Sequence, residues 1–161
     1  MILRISLFIG LLLPFFYLLI QVIIVEVIEP IKYIYTFSGA CSVILLVTTT
    51  SLSLVKNKIN LLRYRRMFGL YAFFYALIHF LNFFVFDSEL DIIFVIKESL
   101  DKPFVYLGMI SFFILLFMAI TSVKFLYQKY NKWHRLTYLT IIFVTIHFVM
   151  AQKVLSMSQW L

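Results

Sequence analysis

Residues Met67–Phe86 read MFGLYAFFYALIHFLNFFVF: twenty residues with no charged side chain and a single histidine. Coiled as an α-helix at 1.5 Å per residue, such a run reaches across about 30 Å, the thickness of a bilayer's hydrocarbon core. Four more stretches share its character, Ile5–Val25, Phe37–Val55, Phe104–Val123 and Leu136–Val154. Each is too long and too apolar for a helix of a small soluble domain. The expected fold is therefore an all-α integral membrane protein of five transmembrane helices, forming one domain over residues 1–161.

Composition agrees. Of 161 residues, 64% are hydrophobic and 13% charged, too little polar surface to clothe a soluble core of this size. The charges lie in short intervals between the apolar runs. A net charge of +7 is common among nucleic-acid binders, but no basic stretch sits in a soluble fold, so no nucleic-acid partner is expected and the lipid bilayer is the medium. Val25 is followed by Glu26-Val27-Ile28-Glu29 rather than by a small-residue cleavage site, so the first run is read as a retained helix. Pro14 interrupts it, which membrane helices tolerate when neighbours satisfy the freed carbonyl. Gly69, Ala72, Ala76 and Gly108 mark places for close helix contact. The sequence shows no internal repeat. Cys41 is the lone cysteine, which excludes an intramolecular disulfide; it reads as a small apolar residue, and no CxxCH is present for covalent heme attachment.

The connections set an orientation. Arg4, then Lys56, Lys58, Arg63, Arg65 and Arg66, then Lys124, Lys129, Lys132 and Arg135 make ten bases without an acid. The alternate connections hold Glu26, Glu29, Lys32, Asp87, Glu89, Asp91, Lys97, Glu98, Asp101, Lys102 and Lys153, seven acids against four bases. The positive-inside rule places the amino terminus in the cytoplasm and the carboxyl terminus outside. Asp87–Lys102 encloses a short apolar patch, Ile92–Ile96, which reads as an amphipathic helix on the outer surface or as an irregular loop. Trp133 and Trp160 stand where interfacial anchors belong.

The chemistry rests on three histidines. His79 is the thirteenth residue of the third run, and His147 the twelfth of the fifth. Both helices run from inside to outside, so both imidazoles sit about 18–20 Å above the inner boundary. Two imidazoles at one depth on parallel helices are what bis-histidine ligation of a low-spin, electron-transferring heme requires. His134, thirteen residues before His147, stands about 20 Å lower, where a second, inner heme would lie. On an ideal helix the two side chains are about 140° apart, so His134 must come from a frayed or distorted helix end. Fourteen residues before His79 is Arg65, about 40° from its face. Its planar fork suits a heme propionate or a flavin phosphate; the alternative is an arginine that only sets topology. The other reading of the histidines is hydrogen bonding between helices in a non-redox assembly or transport protein. No GxGxxG, P-loop or HExxH is present, and the acids all lie in outer connections. No substrate-reducing active site is expected in this chain, and electrons would come from another protein or from membrane quinol.

Several segments resemble the YedZ/MsrQ family. Arg65-Arg66-Met67-Phe68-Gly69-Leu70-Tyr71 with Ala76-Leu77-Ile78-His79 is similar to its RRxxGL…LH element. Lys97-Glu98, Lys102-Pro103-Phe104, Gly108 and Thr121-Ser122 are similar to KE…RPY…G…TS, and Phe37-Ser38-Gly39 to an FTG. His134-Arg135-Leu136-Thr137-Tyr138-Leu139 is similar to LHrLvYL, with His147 thirteen residues on. The resemblance implies a ferric-reductase-like transmembrane bundle, of the group shared with metalloreductases and NADPH oxidases, in a bacterial inner membrane. It implies b-type heme, one or two, on His79, His134 and His147, and an association with FMN. It implies electrons drawn from the quinone pool or a cytosolic flavin reductase. They would pass to a periplasmic molybdopterin-containing methionine sulfoxide reductase that repairs oxidised proteins. A metalloreductase-like or other quinol-linked cytochrome b subunit is the alternative within the class. Two departures stand out: the family's sixth helix has no counterpart before Leu161, and Trp133 and Tyr130 replace its Leu and Trp beside the inner histidine.

Overall fold

A computed structural model describes residues 2–54 and 62–158. Among them every regular element is helical, and five helices are long and apolar enough to cross a membrane. The protein is a multi-pass, all-α membrane protein. Large side chains on its surface are hydrocarbon: Phe8, Ile44, Phe113 and Val149 are each more than half exposed. Burying those in lipid, and keeping backbone hydrogen bonds inside helices, satisfies both demands of a bilayer. The chain divides into two compact units, residues 1–87 and 88–161.

In the first unit, α1 (Ile2–Ile23) carries Pro14 in its middle. Tyr71 and Tyr75 of the third helix reach α1 through their hydroxyls, donating to the carbonyls of Phe8 at 3.0 Å and Leu11 at 2.8 Å. These carbonyls flank Gly10, whose usual amide donor is removed by Pro14 four residues on. Glu26 turns the chain with a φ of 52°, and Pro30 then opens α2 (Pro30–Leu54). Proline is suited to that first position because its missing N–H would have no intrahelical partner. A 3₁₀ turn (Leu62–Tyr64) leads into α3 (Arg65–Asn82), which leaves through a π-helical turn (Phe83–Asp87).

Helices α2 and α3 form the main seam of this unit, lined by small and polar residues. Ser42 donates to the Ala72 carbonyl at 2.9 Å, with both residues buried. Gly69 lets Thr49 approach, and Asn82 donates through Nδ2 to the Ile31 carbonyl at 3.1 Å. Close backbone approach through small side chains is how membrane helices gain packing where lipid supplies no hydrophobic drive.

In the second unit, Asp91 caps α4 (Ile92–Asp101), accepting from the amides of Ile93 and Phe94. The segment expected as an amphipathic helix or a loop is thus a helix. It packs through Val95 and Ser99, exposes Ile92, Ile93, Ile96 and Leu100, and pairs Glu98 with Lys102. Extended backbone at Lys102 and proline at the next residue start α5 (Pro103–Ile120). Then follow α6 (Lys124–Tyr130), a 3₁₀ turn (Asn131–Arg135) and α7 (Leu136–Ser158), with α7 packed against α5.

The five spans stand where expected, with shifted ends. The second begins at Pro30 rather than Phe37, and the third at Arg65 rather than Met67. The basic interval Lys124–Arg135 is helical rather than a bare connection. Hydropathy marks the hydrocarbon layer, whereas helices continue into the headgroup region until a cap or proline stops them. Lys56, Lys58 and Trp160 lie outside the described residues.

Candidate functional site

His79 sits in α3 facing α2. Its Nδ1 is 3.1 Å from the carbonyl oxygen of Tyr35, and its ring meets the Tyr35 ring edge-on, centroids 5.2 Å apart. One turn along α2 from Tyr35 is Gly39. A Cβ there would lie 3.1 Å from Nδ1 and 3.3 Å from Cε1 of His79. The imidazole is therefore laid against bare backbone, which glycine alone provides.

The second unit repeats this arrangement. His147 of α7 faces α5, its Nδ1 2.6 Å from the Phe104 carbonyl and its ring 6.2 Å from that of Phe104. Gly108 follows one turn later, and a Cβ there would come within 2.9 Å of both Nδ1 and Cε1 of His147. The carbonyl and the histidine are 44 residues apart in the first unit and 43 in the second. An aromatic residue, then glycine four positions on, then histidine about forty residues later thus occurs twice. No repeat is visible in the sequence because the match is confined to three positions in each half. Gly39 and Gly108 stand out only singly there, and Tyr35 and Phe104 contribute a backbone atom, a role that no side-chain motif reveals.

A carbonyl oxygen only accepts, so the proton of each neutral imidazole is held on Nδ1. Nε2 then carries the lone pair. Fixing the tautomer and ring plane through the far nitrogen is what protein metal sites do with ligating histidines. Both rings are half-buried within apolar helices. Among the described residues no three His, Cys, Asp or Glu side chains gather as a metal cluster, so each histidine is presented singly.

His134 is held differently. It lies in the 3₁₀ turn before α7, so the distorted helix end that its angle to His147 demanded is present. Its Nε2 is 3.2 Å from Thr121 Oγ1, while that hydroxyl donates to the Phe117 carbonyl at 2.7 Å. Thr121 having spent its proton, His134 Nε2–H is the donor. The Tyr127 ring stands edge-on to His134 at 5.0 Å. Arg65 opens α3 and is half-buried. Each of these two residues stands in its own unit.

A buried asparagine also went unnoticed in the sequence. Asn82, one turn beyond His79, keeps Oδ1 buried without a hydrogen-bond partner among the described residues.

Comparison with known proteins adds the family. The family described as ferric reductase like transmembrane component matches residues 34–151, an interval that begins beside Tyr35 and closes beyond His147. The chain belongs to this family. Both carbonyl–glycine–histidine sets fall inside the ferric-reductase-like match, and all of α1 lies before it. The chain is also similar to the protein-methionine-sulfoxide reductase heme-binding subunits MsrQ of Brucella ovis, Brucella anthropi and Brucella canis. Each is 34% identical over 131 residues, covering 78% of this chain and 60% of the relative. The alignment thus spans less than two thirds of those curated relatives. No solved structure matches the chain.

Proposed function

We propose that this chain is a heme b electron-transfer subunit of a bacterial inner membrane, working with a methionine sulfoxide reductase. One observation carries the reading: two histidines in separate units, each with Nδ1 held by a backbone carbonyl and its ring against glycine. The residues fit the group, because each imidazole keeps its lone pair on Nε2 and is fixed in plane. Heme b would supply a one-electron iron couple there. His79 and His147 are the residues that would hold its iron. Their pairing on one iron comes from their matching depth in the sequence, while each unit's geometry supports its own half. On this proposal residues 1–161 act as one heme-binding domain.

His134 and Arg65 are the proposed residues of an inner site, the guanidinium holding a propionate or a flavin phosphate, FMN included. Ligation through His134 Nε2 requires that nitrogen to leave Thr121. The remaining proposals follow from charge and from the MsrQ likeness. The amino terminus is cytoplasmic and the carboxyl terminus periplasmic. Electrons arrive from quinol or a cytosolic flavin reductase and leave to a periplasmic molybdopterin-containing methionine sulfoxide reductase, for repair of oxidised proteins. This chain contributes no substrate-reducing site.

The test is a reduced-minus-oxidised spectrum of the detergent-purified protein with a pyridine hemochrome assay. The expected result is a low-spin b-type spectrum that His79→Ala and His147→Ala each abolish at the shared site. Two hemes per chain assign His134 to the second, and one per chain leaves it to Thr121. The same Nδ1–carbonyl bonds also join helices, which is the non-redox reading. A colourless wild-type protein, or an unchanged spectrum in His79→Ala, decides for that reading.

A further inference from the structure

The two histidine cradles differ in how the aromatic side chain is held. Tyr35 meets His79 through its carbonyl and its ring edge, and its hydroxyl donates to Asp87 Oδ2 at 2.5 Å. Phe104 meets His147 through its carbonyl and through a ring that is tilted and farther away, 6.2 Å between centroids, and it has no hydroxyl to make a third contact. Tyr35 is therefore fixed at both ends, by its backbone within α2 and by its hydroxyl on the π-helical turn that ends α3. Because α3 carries His79 as well, the loop of contacts closes: α2 backbone, His79, α3, Asp87, Tyr35 ring. This bond to a carboxylate closes the loop from the solvent-exposed side.

We propose that Tyr35, braced by Asp87, is a positioning residue that fixes the plane of the His79 imidazole. For its consequence at an iron this rests on the heme reading above. The plane of an axial imidazole governs how its orbitals meet the metal. A change in Tyr35 would thus be felt at the heme, with the axial bond itself retained. Tyr35→Phe removes the hydroxyl and leaves the carbonyl and ring in place. Asp87→Ala removes the brace from the other side, at an exposed residue.

The experiment compares the full-length protein with Tyr35→Phe, Asp87→Ala and the double variant. All are expected to keep wild-type heme content. Each single variant should shift and broaden the low-spin ferric electron paramagnetic resonance signal and displace the midpoint potential in a common direction. The double variant should match the singles, because both remove one link. Spectra and potentials identical to wild type, or single effects that add in the double variant, overturn the proposal. A second arm uses heme-free protein and ¹⁵N magnetic resonance of the imidazoles. The His79 Nδ1 resonance is expected to move in both variants while that of His147 stays, and an unmoved His79 resonance overturns the proposal. If wild-type protein takes up no heme, the heme reading fails, and this arm still decides the role of Tyr35. Should Tyr35→Phe not accumulate, Asp87→Ala carries either arm alone.

Discussion

Glycine at two positions decides how closely an imidazole can approach a helix, and the two positions are not equally tight. An added Cβ would meet His79 at 3.1 Å from position 39 and His147 at 2.9 Å from position 108. In both cases the obstructing atoms belong to a ring that can swing about its side-chain torsions, so the fold yields less than the ring does. Gly108→Ala is therefore expected to lose most of its bound heme, and Gly39→Ala a smaller share. Gly10→Ala, with nothing near its added carbon, should match wild type. Heme per protein by pyridine hemochrome, read beside helical content by circular dichroism, checks this order. Equal losses at 10 and 108 would remove the glycines from the argument. At this scale the sequence was informative about the histidines, because an imidazole within an apolar span is conspicuous. It was silent about Tyr35 and Phe104, since any residue can offer a carbonyl and only packing chooses which one.

At the scale of elements, what holds the helices is a set of polar links across seams that lipid cannot drive together. Tyr75 is fully buried, and its hydroxyl to the Leu11 carbonyl joins α1 to α3; Ser42 does the same between α2 and α3. Links of this kind average about 0.6 kcal/mol in membrane proteins. Tyr75→Phe and Ser42→Ala should each lower stability by about that amount, seen as an earlier midpoint when detergent-solubilised protein is titrated with dodecyl sulfate. The five spans were legible because a run of about twenty apolar residues has few other fates. The π-helical turn at Phe83–Asp87, the helix at Lys124–Tyr130 and the 3₁₀ turn before α7 were not. Hydropathy is indifferent to which backbone partner an amide chooses, and these segments are set by local packing at the membrane boundary. The 3₁₀ turn nonetheless answers a need that was visible in the sequence. Spacing alone required His134 to leave the regular helix.

For the whole molecule, charge bears on how the chain is oriented in the membrane. Ten bases without an acid occupy one set of connections, and seven acids with four bases the other. Within the first unit, His79 lies in the half of α3 that leads to Asp87; within the second, His147 lies past the midpoint of its candidate span, Lys124–Gln152. If the basic set is cytoplasmic, His79 belongs to the outer half of α3, toward the compartment of a periplasmic partner, and His147 to the middle of α7. Alkaline phosphatase, active only outside, should be active when fused after Glu89 and inactive after Lys129. Green fluorescent protein should give the reverse. The opposite pattern would turn His79 toward the cytoplasm, away from a periplasmic acceptor, and the proposed direction of electron flow would fall with it. Charge reversal offers a sharper check on the cause. Replacing Arg63, Arg65 and Arg66 with glutamate should weaken the retention of that connection inside and raise phosphatase activity from a fusion placed there. A fusion that stays silent would mean that packing rather than charge fixes the orientation.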